Sequence, residues 1–273
     1  MIRPSPAKPS FEPGKLRKTI LQMAYAGSSV HIACAFSLVE ILAVLYRSHL
    51  YLGTGRPDAP DRDYLILSKG HGVMAQYACL RELDRLTDAD IQGYFSDGSR
   101  LKGLSDVHVP GLEVTSGSLG HGLSVAVGLA LAAKRKGTSQ RCFVIVGDGE
   151  INEGAVWEGL LFAAHFGLSN LVVIVDANAY QAMGSTAEVM HLGSVAEKLC
   201  AFGLVTREVD GHDQVALDTA IQDLLRDASP RPKGIVAHTV KGKGISFMEA
   251  NNCWHYTRLD PGSYQAALAE LDL

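Results

Sequence analysis

Two short runs limit what this chain can fold into. Residues 142–146 read CFVIV and residues 171–175 read LVVIV, nearly all apolar and rich in β-branched side chains. A strand with one wet face would alternate, whereas unbroken apolar runs of this length suit parallel strands buried on both faces. GIVAHT at 234–239 is a third candidate, and 64–67 and 205–209 are weaker ones. Helical patterns lie between them. In 213–226, Leu217, Ala220, Ile221, Leu224 and Leu225 share one face behind Asp213, a plausible N-cap. Segments 15–26, 38–47, 72–82 and 154–166 also read as helices. Residues 119–134, LGHGLSVAVGLALAAK, are apolar almost all round and predict a buried helix. Strands alternating with helices predict an α/β fold, a parallel sheet with helices on both faces. Ligands of such sheets sit beyond the carboxyl ends of the strands, so the ends of 142–146 and 171–175 are the places to search.

The length of 273 residues suits one large domain, expected over 14–273. Residues 1–13 carry Pro4, Pro6, Pro9 and Pro13 and are expected to form an extended arm. With 47% hydrophobic and 20% charged residues, wholesale disorder is excluded. A net charge of −4 leaves no global basic field for nucleic acid. No apolar run is long enough to span a bilayer, and the N-terminus lacks the apolar core of a secretory signal. Five scattered cysteines without a C-x-x-C fit neither a disulfide framework nor a zinc site. Each is expected to be a small buried hydrophobe in a reducing, cytoplasmic protein.

Chemistry gathers at the two strand ends. CFVIV runs into Gly147-Asp148-Gly149-Glu150, and LVVIV into Asp176-Ala177-Asn178-Ala179-Tyr180. A carboxylate, an amide oxygen and a backbone carbonyl suit Mg²⁺, a hard ion that keeps water and phosphate oxygens as its other ligands. The flanking glycines let backbone N–H groups approach an anion. The run lacks the G-x-G-x-x-G spacing of a dinucleotide site, GSLGHG at 117–122 has the wrong order, and KGKG at 241–244 lacks the P-loop spacing. On the residues alone, a metal-bridged diphosphate site and a tight strand-to-helix turn capped by Asp148 both remain open.

A strand ending in GDG, followed thirty residues on by an Asn at the end of a second strand, resembles the thiamine-diphosphate motif. The surrounding text resembles transketolases: DRDYLILSKGHG (61–72), DGSRLKG (97–103), EVTSGSLGHGLSVAVG (113–128), VDGHD (209–213) and TVKGKG (239–244). The resemblance spans about 15 to 260. It implies the diphosphate-binding domain of the family and, without the pyrimidine-binding and C-terminal domains, the N-terminal subunit of a split transketolase. Such a subunit, with a C-terminal partner in an α2β2 heterotetramer, transfers a two-carbon ketol unit from a ketose to an aldose. By the same resemblance Asp148, Asn178 and the Tyr180 carbonyl bind Mg²⁺, which Ca²⁺ or Mn²⁺ can replace. Gly149 lends its N–H to the diphosphate, and Gly117 and Leu119 approach the rings of the cofactor. His71 and His255 donate to diphosphate oxygens, and His31 faces substrate hydroxyls. Glu153 and Glu158 match acids that link the two sites of the dimer.

Departures from the family pattern bear on the substrate. Its usual GHPGGS segment reads VHIACA at 30–35, and its usual GHP reads Gly103-Leu104-Ser105. A histidine that contacts the donor sugar is thereby replaced by Leu104, for which His108 or His121 are candidate substitutes. Met183 stands where an Asp is common. These changes predict a non-standard sugar. Two other readings are a component acting on 2-oxo acids and a non-catalytic scaffold of the transketolase type.

Overall fold

The computed structural model describes residues 9–53 and 58–272. The strands are β1 (Tyr64–Leu67), β2 (Cys142–Gly147), β3 (Leu171–Ala177), β4 (Tyr180–Gln181), β5 (Gly184–Ser185), β6 (Val205–Asp210) and β7 (Lys233–His238). The helices are α1 (Pro13–Ala26), α2 (Ile32–Phe36), α3 (Val39–Val44), α4 (Val73–Glu82), α5 (Asp88–Gln92), α6 (His121–Lys136), α7 (Gly154–His165), α8 (Thr186–Val189), α9 (Val195–Ala201), α10 (Gln214–Arg226) and α11 (Pro261–Leu271). Five strands form one sheet in the order β1-β2-β3-β7-β6, with parallel pairing throughout. β4 and β5 form a separate small antiparallel ribbon.

The apolar runs occupy the middle of this sheet because both of their faces are covered. Phe143, Ile145, Val172 and Ile174 pack into a core built with α1, α3, α4 and α10. Val144, Val146, Val173 and Val175 point the other way, against Leu123, Ala126 and Ala130 of α6 and Val156 and Leu160 of α7. Asp213 caps α10 as its sequence suggests, accepting from the N–H groups of Val215 and Ala216. The expected helix at 38–47 is α3 followed by a π-helical turn over Leu45–His49.

Three expectations are corrected. α6 is not buried all round: its sheet-facing stripe is covered, while Val125 is 41% exposed on the other side. It packs against α7, whose Leu161 and Phe162 are 57% and 42% exposed, so an apolar patch crosses two helices. Composition cannot distinguish such a face from a core face. Cys34, Cys79 and Cys142 are buried, but Cys200 and Cys253 are exposed; all five are free thiols. Of the expected arm, residues 1–8 lie outside the described residues. Phe11 is fully buried, and Pro13 is already the first residue of α1, where its missing N–H costs nothing. No helix among the described residues is long and apolar enough to cross a membrane.

Candidate active site

Because β2 and β3 are neighbours in register, Gly147 lies beside Asp176, and the loops that follow them leave the same edge of the sheet. Asp148 accepts from the N–H groups of Gly149 (2.8 Å) and Ala179 (2.6 Å), which tie the two loops together. Ala179 has a φ of 66°, a left-handed turn that swings Tyr180 back toward Asp148. The Asn178 amide is held at both ends: its nitrogen donates to Asp176 Oδ2 (3.1 Å), and its oxygen accepts from Tyr180 N (3.1 Å). That leaves one lone pair on the amide oxygen for another ligand.

Every residue singled out from sequence for catalysis, cofactor or metal lines one cavity of about 450 Å³ over these strand ends: His31, His71, Gly117, Leu119, Asp148, Gly149, Glu153, Asn178, Tyr180 and His255. The three histidines come from distant segments. Ring centroids lie 5.0 Å apart for His31 and His71, 5.2 Å for His31 and His255, and 6.1 Å for His71 and His255. Glu153 sits at the mouth as the exposed residue before α7, while Glu158 is exposed and lies outside the cavity, as do His108 and His121. A Cβ on Gly149 would come within 2.8 Å of Gln181 Cβ, so only glycine leaves this N–H open beside the cavity.

Beneath the cavity lies a set of charges that the motifs do not assign. Asp176 is fully buried and accepts from Lys69 Nζ (2.6 Å), Ser37 Oγ (2.7 Å), Thr239 Oγ1 and Asn178. These donors and the Lys69 charge hold its carboxyl below the usual range, against the effect of burial. Burial is likewise outweighed for Lys69, whose ammonium is pushed up by Asp176. Asp148 is instead raised to about 6, first by burial and then by the charge of Asp176. Lys241, fully buried, donates to Asn252 Oδ1 (2.6 Å) and to His255 Nδ1 (2.7 Å). With Nδ1 accepting, the neutral His255 ring carries its proton on Nε2, which remains a donor. Burial, then Lys241 and other nearby cations, lower His31 and His255 to about 4, and burial with Lys69 drives His71 down as well. All three are therefore neutral near pH 7.

Two further networks position the loops. Glu150, 3% exposed, accepts from Ser68 Oγ, Gly120 N (2.8 Å) and Gly147 N (3.0 Å), fastening the 117–120 segment to the end of β2. Glu40 receives a bidentate pair from Arg17 (2.7 and 3.0 Å) and a bond from His212 Nδ1 (2.9 Å). His212 Nε2 in turn accepts from Val240 N (2.8 Å), which sets the backbone that delivers Lys241. Lys69, Asp176 and Lys241 all lie inside segments that the motifs cover. The usable signal was a charge next to an apolar strand, which must find a partner when buried.

The site agrees with what the chain is similar to. The family described as transketolase, thiamine diphosphate binding domain, matches residues 16–267. One of the two chains of an apulose-4-phosphate transketolase, from Actinobacillus succinogenes, is 37% identical over 93% of this chain and 92% of its own length. A 6-deoxy-6-sulfo-D-fructose transketolase subunit of a Clostridium species is 35% identical over 89% and 88%. The structure of transketolase from Leishmania mexicana superposes with a TM-score of 0.87 at 31% identity, covering 97% of this chain. The chain spans 42% of that longer protein. In extent it corresponds to the two relatives named as subunits, and it belongs to the transketolase family as its N-terminal, thiamine-diphosphate-binding part.

Proposed function

We propose that this chain is the diphosphate-holding subunit of a two-chain transketolase, working with a partner that supplies the pyrimidine-binding domain. The observation that carries the reading is the cavity over β2 and β3, where oxygen donors for a hard cation face three neutral histidines and a buried lysine. The residues present fit a magnesium diphosphate. Asp148, the free lone pair of Asn178 and the Tyr180 carbonyl are all oxygen donors, as Mg²⁺ requires. Asn152 Oδ1 and Gln181 Nε2 line the same cavity, buried and without a protein partner, as expected of groups that wait for a polar ligand. When bound, thiamine diphosphate supplies the carbon nucleophile that breaks and remakes the C–C bond beside a ketose carbonyl.

The chain's own contribution is position and charge. Lys241 and the Nε2–H of His255 offset the diphosphate charge, and Gly149 N–H is open to one of its oxygens. His31 is neutral at pH 7, so its ring can both donate and accept a proton beside a substrate hydroxyl. Ca²⁺ or Mn²⁺ should support activity in place of Mg²⁺. The relatives' names differ in their sugar, which leaves the substrate of this chain to experiment. The patch on α6 and α7 supports assembly into an α2β2 heterotetramer, because contiguous exposed apolar surface marks an interaction site. Five free cysteines suit a reducing cytoplasm.

Calorimetric titration with thiamine diphosphate tests the reading directly. Binding should require a divalent cation and should vanish in Asp148→Ala. Cofactor binding by Asp148→Ala equal to that of the wild type, or carbon dioxide release from a 2-oxo acid without ketol transfer by the reconstituted pair, would overturn it.

A further inference from the structure

A second cavity, of about 580 Å³, opens beside the first and shares His31 and Leu104 with it. Its walls are formed largely by Val30, Phe95, Leu104 and Tyr256. Leu104 is 43% exposed, and the Tyr256 ring stands 4.7 Å from that of His31. Phe95 occupies a φ of 58°, an uncommon and costly backbone state that sets its ring toward the opening. Leu104 also closes over Gly117: a Cβ there would lie 2.9 Å from a Leu104 methyl. Polar groups are few. The Asp106 carboxylate is occupied by the N–H and ring of His108. Ser105 lines the cavity at 3% exposure, and its buried hydroxyl has no partner among the described residues.

We propose that this second cavity is the specificity pocket for the part of the substrate beyond its reacting carbonyl. It selects a substrate that turns an apolar, deoxygenated or branched carbon toward Leu104 while one polar group reaches Ser105. The proposal rests on the transketolase reading above and names the substrate class for it. Continuity through His31 puts the pocket next to the reacting end of anything held in the first cavity. A leucine wall offers a hydroxyl no partner for the water it gives up, whereas a methyl group gains on contact. Each buried methylene is worth about 4-fold in affinity. Because a hydrophobic pocket rejects an added hydroxyl only weakly, selectivity should not exceed about 100-fold.

The test uses the reconstituted pair, one ketose phosphate donor and two acceptors of equal size, propanal and glycolaldehyde. In each transfer the donor's C2–C3 bond breaks, a new bond forms to the aldehyde carbon, and the aldehyde oxygen takes up a proton. Wild type should favour propanal by about 4-fold or more in kcat/KM, and Leu104→Asn should reverse the ratio. Ser105→Ala, which deletes an unpartnered hydroxyl, should raise KM for both acceptors with Tm unchanged or higher. An unaltered ratio in Leu104→Asn overturns the proposal and leaves the transketolase reading standing. So does failure of that variant to assemble with its partner, which would assign the pocket to the interface. Absence of ketol transfer to any acceptor, ribose 5-phosphate included, removes both.

Discussion

Lys241 shows how much of the site rests on single buried side chains. It is the shared donor to His255 and Asn252, and its replacement by Met keeps the volume while leaving both acceptors unpaired. A charged hydrogen bond is worth about 1.5–3 kcal/mol, so Lys241→Met should weaken cofactor binding by about tenfold to a hundredfold, read by titration of the folded variant. The histidines give a second residue-scale prediction. His31 and His255 are held near 4 in the folded chain against an ordinary 6.5. Between those values the unfolded chain binds more protons, so their contribution to stability is present above about pH 6.5 and is lost as pH falls toward 4. Asp148, raised to about 6, works in the opposite sense over part of that window. The measurement is therefore a difference: melting curves of His31→Gln and His255→Asn should fall less steeply with acid than those of the wild type.

At the scale of elements, the strand ends were legible because a buried parallel strand writes itself as an apolar run, and the loops after two such runs carried the polar residues. All five sheet strands and the main helices could be read this way. What joins them could not. Lys69 and Asp176 are 107 positions apart, and Phe95 and Tyr256 still further, so no local pattern announces that they meet. Lys69 and Asp176 hold the end of β1 to β3 across β2, and both are buried. Removing one member of a buried pair strands the other, so Lys69→Met should cost about 3–5 kcal/mol in denaturant unfolding. Glu150 performs a similar service between β2 and the segment before α6. Glu150→Ala should cost about 2 kcal/mol or more and lower cofactor affinity as Gly147 and Gly120 lose their acceptor.

For the whole molecule, the exposed apolar faces of α6 and α7 matter most. The sequence showed α6 to be apolar but could not show which part of it the sheet leaves uncovered. Replacing Leu161 with Asp puts a charge on the most exposed member of that patch. Sedimentation should then show loss of the assembled species, while circular dichroism and Tm of the separate chain stay near wild type, since exposed substitutions usually change stability by about 0.5 kcal/mol or less.

Asp176 receives its partners from four stretches of backbone: Ser37 after α2, Lys69 after β1, Asn178 after β3 and Thr239 after β7. No fragment of the polypeptide can therefore rehearse the arrangement ahead of the rest. During refolding, secondary structure should return first and vitamin uptake last, once the distant strands have found their register. A fluorescent analogue of the coenzyme would then act as a clock for the final consolidation of the chain.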